Sequence, residues 1–558
     1  MSPTERDILR DLRSPDRIMH LKRLGASFPT RLSFTRTMLR KLADEGVQVR
    51  KECWDIDDAG FGTAVYSVCL GGNDHSLVAF STPLADDDRT DRVIAEAWDT
   101  TFVLYDGIPD DAEVERLRRN APLQEAGRYT SRELVLSRAN KSVRFFQHVV
   151  DTLSQGRQPD VDMLKEVGYL LRTTAVYGNG KFGIADRGLV AKRPGLRGPF
   201  QAEMLTVWLI RNFSIDLVEH VAASKANGNF VRLEKALRTS LGVGNSTGLG
   251  MAPFLANHPI LLNNWVTSRE QALTAAIEGY KPEDRQRLVA LARRAETHLA
   301  QWKVADAPLM SRIETLRTEW AQVAAWIDGA ATQSPTFGAT EILKKTVGLS
   351  LDCQELAVAL LIETAGPRVD ALETLMIADE EGHVRPDRKL HDVLSVINER
   401  YRWSLDIDFQ DRSETARFWY VSEEKLEPRL GERYQEDGAE LELPLDIARQ
   451  IQKLHADLVA SPTDMSVAEF LRRHPEHRHA LKRVEIASDH PFSEIRDNLL
   501  SEGCLPIDML RFKLAFFGAS KFDPRSDRWT RITLFQGAPT AEEISAGVTD
   551  DCWLPVLP

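Results

Sequence analysis

The stretch from Phe200 to Ser224 limits what this chain can fold into more than any other. Met204, Val207, Trp208, Ile210, Phe213 and Leu217, with the apolar residues between them, wrap most of a helical circumference. A helix that is apolar over most of its circumference is nearly buried. Its few charged groups, Glu203, Arg211, Asp216, Glu219 and His220, are then paired or confined to one narrow stripe. Glu219 and His220 are adjacent and do not face each other on a helix, so structural ion pairing is expected of them rather than acid–base work.

Upstream, residues 62–70 are rich in Val, Tyr and Thr. Gly71-Gly72-Asn73-Asp74 makes a hairpin turn and residues 75–82 return as a second strand. Helices are expected at 4–24, 33–45, 110–120 and 131–155, and residues 92–105 fit either a strand or a helix. Residues 281–331 read as a helical hairpin, 341–364 as an apolar helix closed by Gly366-Pro367, and Arg417-Phe-Trp-Tyr-Val421 as a short aromatic strand. The expected fold class is α+β, predominantly α-helical, with a small antiparallel sheet in the N-terminal lobe and a short β element in the C-terminal lobe. With 558 residues to distribute, the expected lobes are 1–155, a helical core at 156–331 bearing two glycine-rich loops, and 332–558.

The first glycine-rich stretch, residues 242–251, reads Gly-Val-Gly-Asn-Ser-Thr-Gly-Leu-Gly-Met. Its glycines permit positive φ and close approach of another group, and Asn245, Ser246 and Thr247 add short polar side chains. That combination suits an anion cradle, which a helix beginning at Met251 would strengthen through its N-terminal N–H groups. The plainer alternative is that the glycines let two segments cross closely, with the polar trio capping the next helix. The spacing fits neither a Walker loop nor a dinucleotide fingerprint.

The second stretch, residues 177–183, reads Tyr-Gly-Asn-Gly-Lys-Phe-Gly. It presents the phenol of Tyr177, the amide of Asn179 and the ammonium of Lys181 within five positions. Such a lysine binds phosphate as a point charge or, with its pKa lowered by burial, acts as a base, while Tyr177 relays a proton. As a bare surface turn, Asn179-Gly180 would leave Lys181 in water. Arg172 and Arg187 stand among apolar residues and glycines on either side. Because an unpaired buried charge is costly, each is held in a site or snorkels to solvent. Lys192, Arg193 and Arg197 form a basic loop suited to recruiting a negatively charged small molecule. Asn140 and Arg144, four residues apart, and Lys521 near the C-terminus are secondary candidates.

A net charge of −12 opposes a dedicated nucleic-acid binder. The polar start, Met-Ser-Pro-Thr-Glu-Arg-Asp, has no apolar signal core, and no stretch has the length of a membrane span, so a cytoplasmic protein without a membrane partner is expected. Five widely spaced cysteines with no Cys-x-x-Cys pair offer neither a disulfide framework nor a thiolate zinc site. His474, His477 and His479 share a turn with three arginines that would repel a cation and with Glu476 as the one carboxylate, so no metal is assigned. The cofactor stays open: a nucleotide or flavin is compatible with this reading, though no motif supports one.

The function expected is an enzyme that binds a small anionic substrate or phosphate-bearing cofactor between the two glycine-rich loops. Lys181 and Tyr177 would transfer protons, and Arg172, Asn179, Arg187, Asn245, Ser246 and Thr247 would bind the ligand. The reaction class stays open, and a homo-oligomer is compatible with this reading. The alternative is a non-catalytic helical scaffold or regulatory protein.

Overall fold

The computed structural model describes residues 13–84, 98–122, 130–173, 187–248, 255–333, 337–377, 382–408, 417–421, 428–432, 445–496, 506–524, 529–549 and 553–556. The chain forms two compact units, each made of three separate segments. One comprises Phe28–Thr247, Arg285–Pro335 and Lys513–Pro558, and the other Met1–Ser27, Gly248–Asp284 and Thr336–Phe512.

The first unit is built on a sheet. Its strands are β1 (Arg50–Ile56), β2 (Gly62–Leu70), β3 (Asn73–Ser81), β4 (Thr100–Asp106), β5 (Glu133–Lys141), β6 (Tyr169–Thr173) and β7 (Gly242–Gly248). After β8 (Arg417–Val421) and β9 (Pro428–Glu432) of the second unit come β10 (Lys521–Pro524) and β11 (Trp529–Leu534), which return to this sheet. Among the described residues, the order across its nine strands is β1-β2-β3-β4-β5-β6-β7-β11-β10. Strands β1 to β6 pair antiparallel in succession, and β6 and β7 pair in parallel.

This corrects the expected fold class, because the sheet is large, mixed and recruits strands from the C-terminal end of the chain. Two local features hid it. The first is β5, which lies inside a stretch that reads as helix. Its residues are buried almost throughout, so they lack the in–out alternation of a half-exposed strand, and a short apolar run gives no period to distinguish it from a buried helix. Only Phe145–Ser154 of that stretch is helical. The second is the glycine-rich stretch, whose first seven residues are β7 rather than a turn. Gly242 and Gly244 have no positive φ; close packing explains them. A Cβ on Gly242 would lie 2.4 Å from the Leu534 carbonyl oxygen, and one on Gly244 would lie 2.7 Å from the Tyr169 ring.

The apolar helix is Gln201–Lys225, and it packs on β3, β4, β5, β6 and the helix Phe145–Ser154. Arg211 is 2% exposed, and its guanidinium donates to the carbonyls of Arg238, Thr239, Leu241, Ala538 and Pro539. One cation thereby satisfies backbone groups from two distant stretches of the unit, 238–241 and 538–539. Glu219 pairs with Arg238 at 2.7 Å and accepts from the Leu233 amide. His220 accepts from the Trp54 indole and contacts the Asp57 carbonyl.

The second unit is mainly helical. The helices Leu390–Arg400, Leu445–Val459 and Arg478–Asp489 enclose a core that includes Leu390, Val393, Ile397, Leu454, Leu481 and Val484. Elsewhere in this unit, Glu355 of the helix Leu351–Ala365 receives Arg13 at 2.7 Å and Arg23 at 2.6 Å, while Arg13 also pairs with Glu270. Strands β8 and β9 form a separate two-stranded sheet. Among the described residues, no helix is long and apolar enough to cross a membrane.

Candidate functional site

Where β5 ends and β6 runs beside it, the register places Asn140 opposite Arg172 and Lys141 opposite Leu171. The Ser142 amide continues the ladder by donating to the Leu170 carbonyl at 2.8 Å, and Arg144 occupies the cap position of the helix Phe145–Ser154. On β10 and β11, Lys521 pairs with Thr533 and Asp523 with Arg531. Strand side chains alternate between faces, so these four share one face of the hairpin. That face and the β5–β6 end border one cavity of about 220 Å³, completed by Glu166, Val167 and Tyr169.

Its shape is held by internal hydrogen bonds. The Asn140 Oδ1 accepts from the Asp99 amide at 2.9 Å, and the Asp99 carboxylate accepts from the Lys141 amide at 3.2 Å. The Lys141 ammonium lies 5.0 Å from the Phe61 ring centre and 5.4 Å from that of Phe146, where the negative faces of the rings attract it. Lys521 Nζ donates to the carbonyls of Lys165 and Glu166. It thereby caps the C-terminus of the helix Val161–Val167, where a cation meets the negative end of the helix dipole.

The cavity is strongly basic. Lys141, Arg144, Arg172, Lys521 and Arg531 border it against only Glu166 and Asp523. Arg172 is 6% exposed and Lys141 8% exposed, so water screens them less than it would surface charges. Such an excess of positive charge suits an anion rather than a metal ion.

Of the residues singled out in the sequence, Arg172 borders this cavity, and the secondary candidates Asn140, Arg144 and Lys521 join it there. Asn245 lies on the neighbouring strand, opposite Thr173. It is 2% exposed and donates to the Thr173 Oγ1 at 3.1 Å. Ser246 and Thr247 are the next two residues of β7, and Arg187 opens the short helix Arg187–Val190. Tyr177, Asn179 and Lys181 lie outside the described residues. From the basic loop, Arg193 clamps Asp106 at 2.8 Å and the Ser131 carbonyl at 2.9 Å, holding the loop against the end of β4 and the start of β5.

Lys141, Arg531, Asp523 and Glu166 escaped the sequence reading. For Arg531 and Asp523 a signal existed in the alternation of β10 and β11, but each strand is too short for a period to register. No family model, curated protein or solved structure matches this chain.

Proposed function

We propose that this protein binds a small anionic molecule, bearing a phosphate or a carboxylate, in the cavity bordered by Lys141, Arg144, Arg172, Lys521 and Arg531. The observation that carries this reading is the concentration of five basic side chains against two acidic ones around about 220 Å³, in a chain whose net charge is −12. Full or partial burial of Lys141, Arg172, Lys521 and Arg531 reduces the screening of their charges, and the guanidinium fork of Arg172 suits two oxygens of one anion. In this reading the protein is an enzyme. Tyr177 and Lys181 are its proposed proton-transfer residues, and Asn179, Arg187, Asn245, Ser246 and Thr247 are carried over from the sequence as further proposed ligand-binding residues.

The test begins with mass spectrometry of small molecules released on denaturation, followed by titration of the purified protein with inorganic phosphate and with any molecule recovered. Arg144 is exposed, so Arg144→Glu should leave the melting curve unchanged while weakening binding by about tenfold or more, equal to about 1.4 kcal/mol. Affinity unchanged in both Arg144→Glu and Arg172→Met would remove the cavity from the reading and favour the scaffold alternative.

A further inference from the structure

A second cluster lies in the helical unit. Asp457 sits in the last turn of the helix Leu445–Val459. The helix Val467–Arg473 runs through His474 into the tight turn Pro475–His477, which leads into the helix Arg478–Asp489. This path brings Asp457, His474, Glu476 and His477 together, with one ligand-capable atom from each within 4.8 Å of all the others. His477 is 3% exposed, and its Nε2 lies 2.7 Å from the Asp457 Oδ2. The His474 Nδ1 lies 3.7 Å from the Glu476 Oε1.

Both imidazoles pack against Phe470. Its ring stacks on His474 at 4.8 Å and on His477 at 5.7 Å, with planes inclined by 26° and 16°. The arginines that count against a cation in the sequence are exposed or paired. Arg473 pairs with Glu469 at 2.6 Å, and Arg472, Arg473 and Arg478 are all exposed, where solvent and salt screen them. The sequence also leaves out Asp457, which enters from a separate helix. With it, the cluster holds two carboxylates instead of one.

We propose that Asp457, His474, Glu476 and His477 form a binding site for one zinc ion. Two imidazole nitrogens and two carboxylate oxygens supply four donors, the number zinc takes in tetrahedral sites, and the carboxylates balance its two charges. Magnesium and calcium favour all-oxygen shells, so the paired imidazoles select against them. On binding, the His477–Asp457 hydrogen bond gives way to two metal–ligand bonds, and any proton on the coordinating nitrogen passes to solvent. The ion would tie the end of the helix Leu445–Val459 to the turn between the next two helices and raise the melting temperature.

The experiment uses the full chain, stripped with a chelator and titrated with zinc chloride by calorimetry, with a parallel cobalt(II) titration followed by absorbance. The expected result is one ion per chain and the visible bands of a tetrahedral cobalt site, without thiolate charge-transfer absorption. Asp457→Asn, His474→Ala and the exposed-residue variant Glu476→Gln should each weaken zinc binding by at least about tenfold, since even outer-shell changes cost that much. Their metal-free melting curves should match the parent, and any variant that does not is set aside in favour of the others. Absence of zinc binding, undiminished affinity in the folded variants, or a thiolate spectrum pointing to the exposed Cys53 and Cys69 would overturn the proposal.

Discussion

His298, on the helix Asp284–Gln301, shows how burial sets the behaviour of one residue. Its Nδ1 lies 3.1 Å from the Pro555 carbonyl oxygen. Desolvation pulls its pKa from 6.5 to about 4; the Pro555 hydrogen bond opposes that pull and Arg294 adds to it. The folded state therefore takes up this proton less readily than the unfolded chain. The stability contributed by the neutral ring is complete above about pH 6.5 and is lost as pH falls toward about 4. In urea unfolding at stepped pH, His298→Asn should flatten the loss of stability across that interval; an unchanged slope would assign the loss to other groups. The candidate site shows the corresponding limit of reading residues singly. Arg172 was legible as a charge in an apolar setting, whereas Lys141 was not, because its cavity position follows from its place at the end of β5.

Strand β7 makes the same point for an element. Its glycines suggest a turn, yet they let β7 lie close to β11, where a side chain at position 242 would meet Leu534 and Thr533. Gly242→Ala should therefore destabilise the protein by about 1–3 kcal/mol through overpacking, measured as a lower urea midpoint at constant slope. A neutral substitution would show that β7 and β11 can part without cost. The hairpin at Gly71-Gly72 was legible for the opposite reason. Both glycines have positive φ, 61° and 77°, so the local sequence alone specifies that turn. By contrast, β10 and β11 are short, and their place beside β7 depends on residues nearly three hundred positions away in the chain.

Across the whole molecule, long-range polar contacts join segments that sequence order separates. In the helical unit, Glu355 binds Arg13 and Arg23 and lies 3.6 Å from Arg269. Burial pushes its carboxyl upward, but Arg13 and Arg23 outweigh that effect and hold it down at about 2. Glu355→Gln would leave buried guanidiniums without their counter-charge, and a loss of about 3–5 kcal/mol is expected in denaturant unfolding. A loss below about 1 kcal/mol would mean that the arginines find other acceptors. Arg211 plays the comparable role in the sheet-bearing unit by gathering carbonyls from residues 238–241 and 538–539. By itself, the sequence determined the largely apolar helix at 201–225, the hairpin at 71–72 and helices such as Phe34–Asp44, Asp111–Asn120 and the pair Asp284–Gln301 and Ala307–Gln333, because periodicity, caps and turn residues act between near neighbours. Only the tertiary structure decided that the sheet has nine strands, that Arg172 shares a cavity with Lys521, and that Asp457 meets His477. Those outcomes depend on strand pairing and burial between distant segments, which leave no local period in the chain.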